Sequence, residues 1–346
     1  MFKKAILVLV LLFAINKTQA TVITVSNAPN SPAQYTDLQL AINAANNGDT
    51  IYVSGSLISY GNITVDKQLV LIGTGFNPQK DIPLVSQLNY INLVSGSAGS
   101  TIDGFKFLGS SPTNIPCNGV SAPYVLFSTA CVDNITVRNN YILGQYIAVS
   151  GDNWLIEKNL IQYFYINYHV NVIVRNNLVI TNTDIRFSNQ PSVMFHNNLF
   201  IASSSSVFNT VTNAVINNNI FYGISPAGCN NCVFNNNLTF NTSQNILPYG
   251  TNTGSGNIEN QDPQFINVPT YTINLLYNYR LLATSPCHNA GTDGTDIGPY
   301  GGATPFPSSP IGGEPKIPQV KNMNINNTSL PLNGNLNINV KGKKQD

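Results

Sequence analysis

Across residues 134–237, short apolar runs alternate with asparagine-rich corners at a nearly constant interval. Segments 134–140, 153–159, 171–177, 192–198, 213–219 and 231–237 each carry apolar positions ahead of a closing asparagine. The closing residues are Asn140, Asn159, Asn177, Asn198, Asn219 and Asn237, at steps of 19, 18, 21, 21 and 18. Self-similarity at a fixed period marks a repeat architecture. The apolar position three residues earlier reads Val137, Ile156, Val174, Phe195, Ile216 and Phe234. These β-branched and aromatic residues favour strands. A leucine-rich repeat would need several fixed leucines per unit, and a pair of helices would need a longer period. The pattern therefore predicts an all-β parallel β-helix with coils of 18–21 residues. Parallel strands stack roughly 4.8 Å apart, so equivalent residues of successive coils lie above one another. Asparagine suits the corners because it tolerates the left-handed conformation and its amide bonds to the amide of the next coil. The six closing asparagines are expected to form a structural ladder.

The flanks of the repeat add a resemblance. Residues 35–53 place Tyr35, Leu38, Ala41, Ile42 and Gly48 ahead of the apolar stretch Ile51-Tyr52-Val53. Thr36 and Gln39 read as a capping-box pair for a short helix that ends before Gly48. Residues 69–76 and 101–107 look like early coils. Residues 279–300, with Ser285-Pro286 and Ala290-Gly291, look like a closing segment. Over about residues 21–302 the chain resembles the right-handed parallel β-helix proteins of the pectate-lyase-like superfamily, particularly their secreted bacterial members. That resemblance implies right-handed winding and a helix plugging the N-terminal end. It specifies fold more than chemistry.

The remaining segments divide the chain further. Residues 1–20 combine a basic start (Lys3, Lys4), an apolar run over 5–15 and small residues at Thr18 and Ala20. This is the pattern of a secretory signal peptide, too short for a membrane span. The mature protein is thus expected to be secreted or held at the cell surface, with no transmembrane segment. The β-helix is assigned to residues 21–302 and a proline-rich linker to 303–319, where five of seventeen residues are proline. Residues 320–346 read as two strands of a hairpin-like tail joined near Asn333-Gly334.

Composition then narrows the chemistry. Only 9% of the chain is charged, against roughly 25% in ordinary globular proteins. Asparagine alone numbers 52 among 346 residues. Without residues 1–20, 13 basic and 15 acidic side chains leave a net charge of −2, which supplies no basic footprint for nucleic acid. Residues 187–258 hold no Asp, Glu, Lys or Arg, so no charged cleft runs along that half of the repeat. Aligned by repeat, Arg138, Glu157, Arg175 and His196 share one column two residues before the ladder, and are expected to form solvated ion pairs on the outer face.

Enzymes of the resembled fold mostly cleave acidic polysaccharides, with carboxylates for calcium and a basic residue to remove a proton. A lyase reading would use Lys158, Arg175, Asp184 and Arg186, with calcium as its cofactor. Asn182-Thr183-Asp184 resembles one short polygalacturonase motif, but the partner motifs of that family have no counterpart. Tyr163, Tyr165 and Tyr168, with Tyr141 and Tyr146 a coil earlier, offer rings that stack on sugars beside amides that bond hydroxyls. Cys117 and Cys131 are expected to pair as a disulfide. Cys229 and Cys232 read either as a tight disulfide or as two thiols, and no metal site is expected. The charge census favours a non-catalytic, secreted or surface β-helix that binds extracellular polysaccharide. A divergent lyase acting on an acidic glycan is the alternative.

Overall fold

The computed structural model describes residues 20–29, 31–76, 84–109, 114–115, 120–121, 124–128, 130–149, 151–167, 170–180, 185–188, 193–203, 206–307, 319–326, 329 and 332–343. They form a parallel β-solenoid. One ten-stranded sheet takes a strand from each successive coil, from Val22–Val25 through Thr136–Arg138, Leu155–Glu157, Ile173–Arg175 and Met194–His196 to Val233–Asn235. A second, thirteen-stranded sheet follows each corner, with Leu160–Asn167, Leu178–Ile180, Leu199–Ile201 and Ile220–Tyr222 among its strands.

Register follows the sequence repeat. Val137 pairs with Ile156, Ile156 with Val174, Val174 with Phe195, Phe195 with Ile216 and Ile216 with Phe234. All six are fully buried, and the column continues upstream through Ile102, Leu71 and Ile51. Burying each such side chain contributes about 1.5–3 kcal/mol, so the stacked column is a principal source of stability.

Five coils show two left-handed corners among the described residues. Asn134, Asn153, Asn171, Asn213 and Asn231 occupy the first, with φ between 53° and 62°. The second falls one residue before the ladder, at Asn139, Lys158, Asn176, Asn197, Asn218 and Asn236. The conformational and ladder roles are thus split between adjacent residues. In the ladder, the backbone N–H and Nδ2 of Asn140 both donate to Asn159 Oδ1, at 2.9 and 3.1 Å. The same pair of bonds recurs from Asn159 to Asn177, Asn198, Asn219 and Asn237 in turn. It runs one step further than the repeat indicated, to Asn257. Each Nδ2 also donates to a carbonyl one coil back, as Asn198 does to Val174 O at 2.8 Å. The buried amides are therefore satisfied.

The short helix α1 (Leu38–Ala44) packs Leu38, Ala41 and Ile42 into the main core at the first coils. The capping box is not formed. Asp37 is the N-cap, its Oδ1 accepting from Leu40 N at 2.9 Å. Gln39 instead bonds across to Thr64, accepting from its N–H at 2.8 Å and donating to its carbonyl at 3.1 Å. A carboxylate three residues before an unpaired helical N–H displaces the weaker Thr–Gln arrangement.

A second apolar cluster lies outside the solenoid tube. Leu160, Leu178, Leu199, Ile220 and Leu238, each directly after a ladder asparagine, are covered by Tyr279, Cys287, Ile297 and Phe306. Burial on both faces explains why these strands read as unbroken apolar runs. The expected closing segment thus lies along the flank of the coils. The tail forms an antiparallel pair, Gln319–Ile325 with Ile338–Lys343, and Asn333 between them has φ 68°.

Candidate ligand cleft beneath the C-terminal strap

The covering segment, residues 287–307, is a strap running back across four coils. The left-handed asparagines hold it through their outward amides. Asn236 donates to Ala290 O at 2.8 Å, and Asn218 exchanges bonds with Thr292. Asn197 donates to the carbonyls of Asp296 and Gly298, and Asn176 to those of Pro299 and Gly301. Close approach is enforced at Gly298, where φ is +98° and a Cβ would meet Ile220 Cδ1 at 2.5 Å. Lys158 occupies the next corner upstream.

The outer face of the first sheet carries the charged column in the expected register, Arg138 beside Glu157, Glu157 beside Arg175 and Arg175 beside His196. Asp103 heads it. The pairs are less solvated than expected. Asp103 is 2% and Glu157 4% exposed, while the guanidinium groups stay about one third open. Arg138 Nε donates to Asp103 at 2.8 Å, and Arg175 donates to Glu157 Oε2 from Nη2 at 2.7 Å and from Nε at 2.9 Å. Burying a carboxylate demands such pairing, so both arginines are engaged in structure.

Between this face and the strap lies an open cleft of about 310 Å³. Ile173 and Met194 supply apolar surface, with Arg175, His196, Asn218, Thr292, Asp293 and Thr304 around them. The His196 ring makes no hydrogen bond within the described residues. Burial lowers its pKa below 6.5, Arg175 lowers it further, and Asp293 acts in the opposite sense. Asp293 stays a carboxylate because bonds from Thr295 N and Oγ1 outweigh its partial burial. In the strand beside His196, the buried Asn217 Oδ1 has no hydrogen-bond partner.

Of the residues expected for a lyase, Arg175 lines this cleft. Lys158 sits at a left-handed corner, and Arg186 belongs to the second sheet, paired with Tyr165. Asp184 lies outside the described residues. Of the tyrosines, Tyr163 stacks on Tyr146 at 4.7 Å and 22°, and its hydroxyl accepts from Gln162 Nε2 at 2.8 Å. Tyr165 is only 8% exposed, and Tyr168 lies outside the described residues. Cys131 is disulfide-bonded, and its expected partner Cys117 lies outside them too. No group of three His, Cys, Asp or Glu among the described residues is placed to hold a metal. No described helix is long and apolar enough to cross a membrane.

Fold and cleft together define a parallel β-solenoid with a laterally strapped polar cleft. No protein-family model matches the chain, and no curated protein matches it in sequence.

Proposed function

We propose that the chain is an exported right-handed β-helix of the pectate-lyase-like kind that binds a neutral extracellular polysaccharide without cleaving it. The observation supporting this reading most strongly is the chemistry of the strap cleft. Its one guanidinium is neutralised by Glu157, and its imidazole is held toward the neutral form. The rest of the described lining is amide, hydroxyl and apolar surface with a single carboxylate, Asp293. Such a lining suits hydroxyl-rich, uncharged rings, with sugar faces on Ile173 and Met194 and hydroxyls on the amides. An acidic glycan would meet Asp293 with only a compensated arginine to oppose it. The half-buried Tyr146–Tyr163 pair with Gln162 offers a second stacking place for the same kind of ligand. Residues 1–20 support export.

The test is a binding panel of neutral and uronate polysaccharides, run beside a lyase assay on the uronates. Retention on neutral chains, with about tenfold weaker binding in Met194→Trp, is the expected outcome. Ultraviolet absorbance from an unsaturated uronate product, abolished by Arg175→Ala, would overturn the reading.

A further inference from the structure

The coil carrying the sixth repeat turns its first corner with two thiols inside. Cys229 opens the short strand Cys229–Asn230, Asn231 takes φ 53°, and Cys232 turns back into the core. The cysteines are 3% and 0% exposed and belong to the main core cluster. One coil earlier Val211 pairs with Cys229, and Cys232 Sγ lies 3.4 Å from Ala214 N and 3.7 Å from Val211 O. Positions that are plain hydrocarbon in that coil are therefore both sulfur in this one. Val211 thus neighbours both cysteines, and the nearness of Cys229 holds the Cys232 thiol down at about 7 against the effect of burial. Burial pushes the Cys229 thiol up, and the nearby Cys232 adds to this. Two cysteines flanking one tight corner, with only Asn230 and Asn231 between them, are placed to close on each other by thiol–disulfide exchange.

We propose that Cys229 and Cys232 form a redox pair, closing to an intrachain disulfide across Asn230 and Asn231 and fastening this corner of the solenoid. The oxidant is a small disulfide of the glutathione class, met while the corner is open during folding. The Cys232 thiolate attacks one sulfur of that disulfide and expels a thiolate. Cys229 then gives up its proton, attacks Cys232 Sγ and displaces the second thiolate. The protein loses two hydrogens and two electrons, and the small disulfide is reduced to two thiols. Cys287, buried in the second cluster and also free, is the internal comparison.

The full chain is refolded in a glutathione redox buffer, denatured without reductant, alkylated and mapped by peptide mass spectrometry. The expected result is a peptide two hydrogens light, with Cys229 and Cys232 unlabelled and Cys287 labelled. Reduction before alkylation should restore both labels. Cys232→Ala places in this coil the residue that Ala214 supplies in the preceding one, and should leave Cys229 fully labelled. Labelling of Cys229 and Cys232 without reduction, or a crosslink from either to Cys287, would overturn the assignment. This outcome is independent of glycan binding.

Discussion

At the scale of single residues, the solenoid depends on a division of labour between neighbouring asparagines. One adopts the left-handed conformation, and the next stacks its amide along the axis. Removing a stacking amide strips donors and an acceptor from three coils at once. Asn198→Ala leaves Asn177 N without its acceptor and Val174 O without this donor, while Asn177 Nδ2 keeps the carbonyls of Ile156 and Arg175. At about 1–3 kcal/mol for each buried group left unpaired, a loss of about 3–5 kcal/mol is expected in urea unfolding. A loss under about 1 kcal/mol would show that water or a neighbour replaces the amide. His196 carries a pH signature of opposite sense to a paired histidine. Its folded-state pKa lies below 6.5, through burial and then Arg175, so the unfolded chain binds the extra proton first. Stability should therefore fall as pH drops below about 6.5, and His196→Asn should flatten that decline. An unchanged profile in the variant would remove His196 as its source.

At the scale of elements, the repeat was legible because parallel stacking converts sequence phase directly into register. The pairing of Arg138, Glu157, Arg175 and His196 follows from spacing alone. The burial of Glu157 does not, because what surrounds it depends on neighbouring side chains and not on phase. The helix start was misread for a local reason, since Asp37 competes with Thr36 for the same free N–H groups. The inward column makes its own prediction: Ile156→Ala should cost about 2–5 kcal/mol in equilibrium unfolding, with a smaller effect indicating that the coil collapses onto the void. The strap rests on close approach at Gly298. Gly298→Val combines a positive φ with a clash against Ile220, and should release the strap from the leucine face. Faster hydrogen exchange in residues 287–307, with the inner strands unchanged, is the expected readout.

At the scale of the whole molecule, the cleft was invisible in sequence because its two walls are distant in the chain. Asn176 and Gly301, which pin the strap near the cleft, are 125 residues apart. A period of 18–21 residues carries no information about a segment returning across the coils. Two signals pointed that way without identifying it. His196 interrupts a long uncharged stretch, and the unbroken apolar runs after each ladder asparagine call for a cover on the outer face. The uncharged half of the repeat is where the strap docks, and neutrality there lets backbone carbonyls and amides pair without competing ions. The same neutrality underlies the proposal of an uncharged sugar ligand.

The most direct test is nuclear magnetic resonance of the histidine rings during titration with a neutral oligosaccharide. The chain has three histidines, so His169 and His288 serve as references for His196. The account predicts a saturable shift of the His196 ring while His288 stays still, and loss of that shift in Met194→Trp. An unmoved His196 ring under saturating neutral glycan, with turnover of an acidic one, would contradict it.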